Sequence, residues 1–214
     1  MWKSARTMLI VTLALGGAGI GVALAQEQPG HGPAQPKPVQ AHATVQSCLV
    51  PGVTGFGTLR ERPSSEGVKQ VDVMLLVKGL PDGKHAVHIH EVGSCASTDP
   101  VLAAQGLSNC AGAGGHFDPG PNSNSNPDGN HPHHMGDLIN IEVKNGVGVL
   151  TTTTSRITLS PGPNSVLDAN GSAFIIHTQV DTYCPQAGTP DDPKPARCAG
   201  GTRDACAIIL PATN

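Results

Sequence analysis

Seven of the ten histidines in this chain of 214 residues fall between His85 and Asp137: His85, His88, His90, His116, His131, His133 and His134. In the run Lys84-His85-Ala86-Val87-His88-Ile89-His90-Glu91, two of them alternate with Val87 and Ile89. Successive side chains of a strand point to opposite faces, so Val87 and Ile89 enter a core while His88 and His90 project together from the other side. Two imidazoles on one face are half a metal site. Further donors follow in Gly114-Gly115-His116-Phe117-Asp118-Pro119, in His131-Pro132-His133-His134-Met135-Gly136-Asp137 and in Phe174-Ile175-Ile176-His177. Imidazole suits copper and zinc, whereas carboxylates and carbonyls alone suit calcium or magnesium. A lone histidine is ordinarily a core residue; a set of this size reads as a metal centre.

The surrounding chain is written in strands. Val71 to Val77 is one, and Pro81-Asp82-Gly83 turns it into the histidine strand. Ile139 to Val143 alternates apolar and polar residues, Asn145-Gly146 is a hairpin turn, and Val147 to Thr154 returns. Ala173 to Val180 is another strand, bounded by Asn170-Gly171. Aromatics are scarce at 2%, while Gly (27) and Pro (19) are abundant, which fits short strands joined by turn-rich loops. These features predict an all-β, antiparallel sandwich or barrel. Two segments, Cys95 to Met135 and Asp181 to Asp204, exceed ordinary connections, and loops of that length are usually functional.

The N-terminus carries an export pattern: Lys3 and Arg6, an apolar stretch from Met8, then Ala23-Leu24-Ala25 as a small-residue cleavage site. A signal peptide over residues 1–25 is the expectation. The uncharged run approaches bilayer-spanning length, so an uncleaved anchor is the alternative. Removing Lys3 and Arg6 leaves 11 basic residues against 16 acidic, net −5, and nothing suggests nucleic-acid binding. Residues 26–43 are polar and proline-rich and read as a disordered linker, with His31 and His42 incidental. The folded domain is expected over residues 44–214, a single unit with a sizeable core given 38% hydrophobic residues. Six cysteines, an even number without zinc-knuckle spacing, fit disulfides in an exported protein.

Taken in order, His-x-His-Glu, Gly-Ser-Cys, Gly-Gly-His-Phe-Asp-Pro, His-Met-Gly-Asp, Ile-His-x-x-x-Asp and Arg-x-Ala-Cys resemble the bacterial copper/zinc superoxide dismutases from about Thr44 to Leu210. The resemblance implies a Greek-key β-sandwich or barrel. It makes His88, His90 and His177 copper ligands, with His116 bridging copper to zinc. Zinc would take His116, His134, Asp137 and a histidine from the 131–134 cluster. The family's first zinc-only histidine falls here at Asn124, so His131 or His133 must replace it. His131 is favoured, because the adjacent His133 and His134 tend to point apart while Pro132 bends the chain back. Asp181 matches a carboxylate that orients metal-binding histidines, and Arg203 matches an anion-guiding arginine.

The implied reaction is disproportionation of superoxide to oxygen and hydrogen peroxide, with His116 in a proton-carrying role, in a periplasmic or secreted protein. A non-catalytic copper carrier and a copper-only dismutase are the alternatives. The partner is then the superoxide anion, and the sequence leaves oligomeric state open. Of fifteen possible cysteine pairings, the resemblance selects Cys95 with Cys206. Cys184 and Cys198 share a loop and are expected to pair locally. Cys48 and Cys110 are left over, and Cys110 with Cys206 is the rival pairing. His85 is expected to be structural.

Overall fold

A computed structural model describes residues 38–63, 66–120, 133–183 and 199–213. Nine strands run through them: β1 (Gln40–Ser47), β2 (Thr54–Pro63), β3 (Lys69–Lys78), β4 (Gly83–His85), β5 (Val87–His90), β6 (Ile141–Lys144), β7 (Val147–Thr154), β8 (Ser172–His177) and β9 (Arg203–Pro211). All pair antiparallel, in the order β4-β6-β7-β3-β2-β1-β9-β8-β5. The non-sequential neighbours β3–β7 and β1–β9 are the crossovers of a Greek-key arrangement. Helix is limited, among the described residues, to α1 (Pro100–Ala104), capped by the Asp99 carboxylate, and one 3-10 turn at Ala111–Ala113.

The two ends of that order belong to one stretch of chain. β4 pairs with β6 and β5 with β8, and a single residue, Ala86, separates β4 from β5. Its N–H donates to the Gln179 carbonyl (2.8 Å) and its own carbonyl accepts from His177 N (2.9 Å). The histidine strand therefore closes the sheet into a barrel, leaving few open edges. The run from Lys84 to Glu91 breaks at Ala86, because each half serves a different neighbour.

Strand alternation fills the barrel. Val71, Val73, Leu75 and Val77 of β3, Leu59 of β2, Val87 and Ile89 of β5, and Phe174 and Ile176 of β8 all belong to one buried cluster. A second cluster lies on the other face of β8 and β9: Ala173, Ile175 and Cys206 pack against Cys48, Cys95, Cys110 and Ala113. Both faces of β8 are thus buried, and its sequence is apolar without alternation for that reason.

Several boundaries differ from expectation. β1 starts at Gln40, four residues inside the expected linker, with Ala41 and Ala43 buried; small apolar residues alternating with polar ones suffice where β2 and β9 flank the strand. His42 lies on that strand, exposed. β6 starts at Ile141, since Ile139 is exposed, and β8 ends at His177 where a register shift intervenes. The Asn145-Gly146 turn stands as read, with φ of 52° and 70°, both in the left-handed region that such a hairpin requires.

Candidate metal centre

Because Val87 and Ile89 point into the barrel, His88 and His90 project outward from β5, where two loop segments cover them. Phe117 N donates to Ile89 O (2.9 Å), Ile89 N to Gly136 O (2.8 Å) and Gly136 N to Phe117 O (2.8 Å), so both loop segments dock against β5. Isolated bridges pair His90 with His116 and His88 with Asp137. Gly136 makes the approach possible: a Cβ there would lie 2.2 Å from the Ile89 carbonyl oxygen. His177 arrives from the end of β8, the strand paired with β5.

Two ligand groups result. Nitrogens of His88, His90, His116 and His177 lie within 4.8 Å of one another, and a second set joins His116, His134 and Asp137. All are buried. His116 belongs to both: its ring centroid is 4.1 Å from that of His88 and 5.0 Å from that of His90. Its Nδ1 lies 2.7 Å from Asp137 Oδ1 and 3.2 Å from His134 Nδ1.

Fixed acceptors set the tautomers. Carbonyl oxygens only accept, so His90 Nδ1 donates to Gly114 O (2.9 Å) and His177 Nδ1 to Gly201 O (3.0 Å). His88 Nε2 donates to Asp181 Oδ2 (2.9 Å). Each ring then presents its other nitrogen as a lone pair, and His88 Nδ1 and His177 Nε2 face each other at 3.1 Å. Two bare nitrogens at that distance repel unless a cation lies between them. His90 Nε2 is buried without a hydrogen bond, as a metal-facing atom would be. Burial also depresses the basicity of these rings: His90 is held well below its ordinary range, and His177 is lowered to about 3. The residues therefore fit metal ions, with four neutral imidazoles suited to copper and a mixed imidazole and carboxylate set suited to zinc.

The shell around the ligands is partly one that sequence motifs point to and partly not. Asp181, buried, is held by a reciprocal amide clamp: Asn140 Nδ2 donates to Asp181 O (3.0 Å) and Asp181 N to Asn140 Oδ1 (2.8 Å). Tyr183 N donates to Asp181 Oδ1 (2.7 Å). Asn140 belongs to no motif, and no sequence signal marks it. Arg203 donates through Nη1 to Cys110 O (2.7 Å) and through Nη2 to Gly114 O (2.6 Å). Gly114 O is also the acceptor for His90, so one carbonyl connects the arginine to a ring of the histidine group. Burial lowers the Arg203 guanidinium below its ordinary range.

His85 lies outside both groups: its ring bonds the carbonyls of His177 (2.8 Å) and Pro81 (3.0 Å). His133 is exposed beside the buried His134, and His131 lies outside the described residues. Disulfides join Cys95 to Cys206 and Cys48 to Cys110. The rival pairing of Cys110 with Cys206 is thereby excluded, and the two leftover cysteines find each other across the second buried cluster. Cys184 and Cys198 lie outside the described residues.

Comparison with known proteins bears on the same residues. The family model "Copper/zinc superoxide dismutase (SODC)" matches residues 53–209. A Cu-Zn superoxide dismutase of Deinococcus radiodurans is 37% identical over 73% of this chain and 77% of its own length. One from Mycolicibacterium paratuberculosis is 31% identical over 84% of this chain and 79% of its own. A solved double-mutant SOD-like protein from Bacillus subtilis superposes with a TM-score of 0.54 at 28% identity, covering 79% of this chain and 96% of that one. With the family model matching most of this chain and a barrel that carries two buried groups that could hold metal ions and share a histidine, the chain belongs to the copper/zinc superoxide dismutase family, oxidoreductases whose cofactors are copper and zinc.

Proposed function

We propose that the protein disproportionates superoxide, with copper held by His88, His90, His116 and His177 and zinc by His116, His134, Asp137 and His131. The sharing of His116 between two buried groups carries the reading, because one tetrahedral site would need only four ligands in one place. Copper, when bound, supplies one-electron redox chemistry: one superoxide is oxidised to oxygen, and a second, with two protons, is reduced to hydrogen peroxide.

The chain's own groups prepare that chemistry. Gly114 O, Gly201 O and the Asp181 carboxylate fix three rings in the tautomers that offer a nitrogen to the metal. His116 Nε2 is the atom proposed to hold one of the two protons that peroxide formation consumes. Arg203, at the far side of the Gly114 carbonyl, places a positive charge beside the site in a protein of negative net charge, and a local field of this kind steers a small anion. His131 is assigned to zinc from its place in the sequence and from the exposure of His133; His131→Ala should lose zinc and keep copper, whereas His133→Ala should keep both.

His177→Ala tests the whole reading, since it removes one of four nitrogens. Copper content by mass spectrometry and superoxide turnover should fall together. A variant with full copper and full rate would sink the ligand assignment, and a wild-type protein that holds copper without turnover would be a metal carrier. Export from the cytosol is proposed with it, supported by two disulfides and by the export pattern of residues 1–25; a mature protein beginning at Gln26 would agree.

A further inference from the structure

We propose that Arg156 is a positioning residue for zinc, setting the distance between the two ligands of the His134–Asp137 turn; this rests on the zinc assignment above. Arg156 lies two residues beyond β7, between the buried Thr154 and Ile157, the latter part of the barrel core. Its Nη1 donates to the His134 carbonyl at 2.8 Å, and its Nη2 donates to the Asp137 carbonyl. Both acceptors belong to residues whose side chains supply zinc-facing atoms.

The turn itself is a closed unit. Asp137 N donates to His134 O (3.2 Å), and the Asp137 carboxylate accepts from His134 N through Oδ2 (3.0 Å). His134 Nδ1 and Asp137 Oδ2 stand 3.0 Å apart on the inner side. The outer side of the turn presents two carbonyls, and a planar guanidinium is the side chain whose fork spans two such acceptors. A lysine carries its three donors on one freely rotating nitrogen and lacks the rigid fork that fixes the spacing of the two acceptors.

Placing a cation near a zinc ion is electrostatically unfavourable, so the benefit lies in geometry. Arg156 ties the turn to the segment after β7, while the turn's other attachment is Gly136, which docks on β5 and Phe117. That second attachment survives loss of the arginine. The copper-facing histidines are held by β5, β8 and the Phe117 contact, none of which involves Arg156. The two groups meet only at His116 and at the bridge between His88 and Asp137, so loss of the arginine acts first on the zinc-facing group.

Arg156→Ala and Arg156→Lys, each copper-loaded, would be titrated with zinc against a competing chelator, and with cobalt(II), whose absorption spectrum reports ligand geometry. The alanine variant should bind zinc about 10- to 100-fold more weakly, the range usual for groups that orient metal ligands. Its cobalt spectrum should change, its copper should stay at the wild-type level, and the lysine variant should recover only part of the affinity. The unfolding midpoint of the metal-free protein should move little. Zinc affinity within twofold of wild type would overturn the proposal. So would equal losses of copper and zinc, or a fall in the metal-free midpoint as large as that of the loaded protein, since either marks a general structural role. Failure of wild type to take up zinc or cobalt is a different result, and it overturns the zinc assignment itself.

Discussion

His90 and His177 show how a backbone can prepare a ring nitrogen that could hold a metal ion. Each ring donates to a carbonyl from its Nδ1, and each is so well buried that protonation is disfavoured. The sign of the resulting pH dependence is determined. In the unfolded chain these rings take up protons near pH 6.5; in the folded metal-free protein His177 does so only near 3. Between those values the unfolded state binds more protons, so stability rises with pH across the window. Metal-free protein should be fully stable above about pH 6.5 and lose stability as pH falls toward 3. Urea midpoints measured from pH 8 down to pH 4 would show it, and a flat profile would mean that these rings ionise equally in both states.

Arg203 carries a second prediction at the level of single side chains. Its two terminal nitrogens are committed to the carbonyls of Cys110 and Gly114, so its position is fixed while its charge remains. Arg203→Ala should slow superoxide turnover severalfold with copper retained. The wild-type rate should also fall as salt rises, because screening shortens the reach of the charge to about 10 Å at 0.1 M. A variant as fast as wild type at every ionic strength would remove the steering role.

Among the elements, β5 does the most with the fewest residues. Its four positions send Val87 and Ile89 into the core and His88 and His90 into the site. One edge pairs with β8, and the other receives Phe117 and Gly136 from the long loop. The zinc-side turn can dock only because residue 136 lacks a side chain. Gly136→Ala should push the turn off Ile89, at a cost of about 1–3 kcal/mol from overpacking, and zinc should be lost before copper. Thermal unfolding together with metal analysis checks this; a variant with unchanged zinc and midpoint would show that the loop accommodates the methyl group.

Over the whole molecule, closure comes from β4 and β5 and is reinforced by two disulfides spanning 62 and 111 residues of chain. Each cross-link of that span restricts the unfolded chain by about 4 to 5 kcal/mol in the chain-entropy account. Cys48–Cys110 also anchors the residue whose carbonyl receives Arg203. The double variant Cys48→Ala, Cys110→Ala should therefore lose stability by a few kcal/mol and turn over superoxide more slowly with its copper intact. A variant that is less stable but equally fast would confine the disulfide to a structural role.

Most of this organisation is legible along the chain, for a physical reason. Strand geometry has a period of two, so Val-His-Ile-His can be read as one buried and one metal-facing side without coordinates. An Asn-Gly pair announces its own hairpin, since few residues accept positive φ. The order of short motifs singles out His116, His177, Asp181 and Arg203 only through its resemblance to the family. What the linear chain leaves undecided involves groups without a side-chain signature. The carbonyls of Gly114, Gly201, Cys110, His134 and Asp137 act as acceptors for His90, His177, Arg203 and Arg156. Every residue except proline carries the same backbone pair of donor and acceptor, so only the path of the folded chain selects which of them meet. Disulfide pairing is of the same kind: six cysteines are chemically alike until β1 and the segment before the 3-10 turn bring Cys48 beside Cys110.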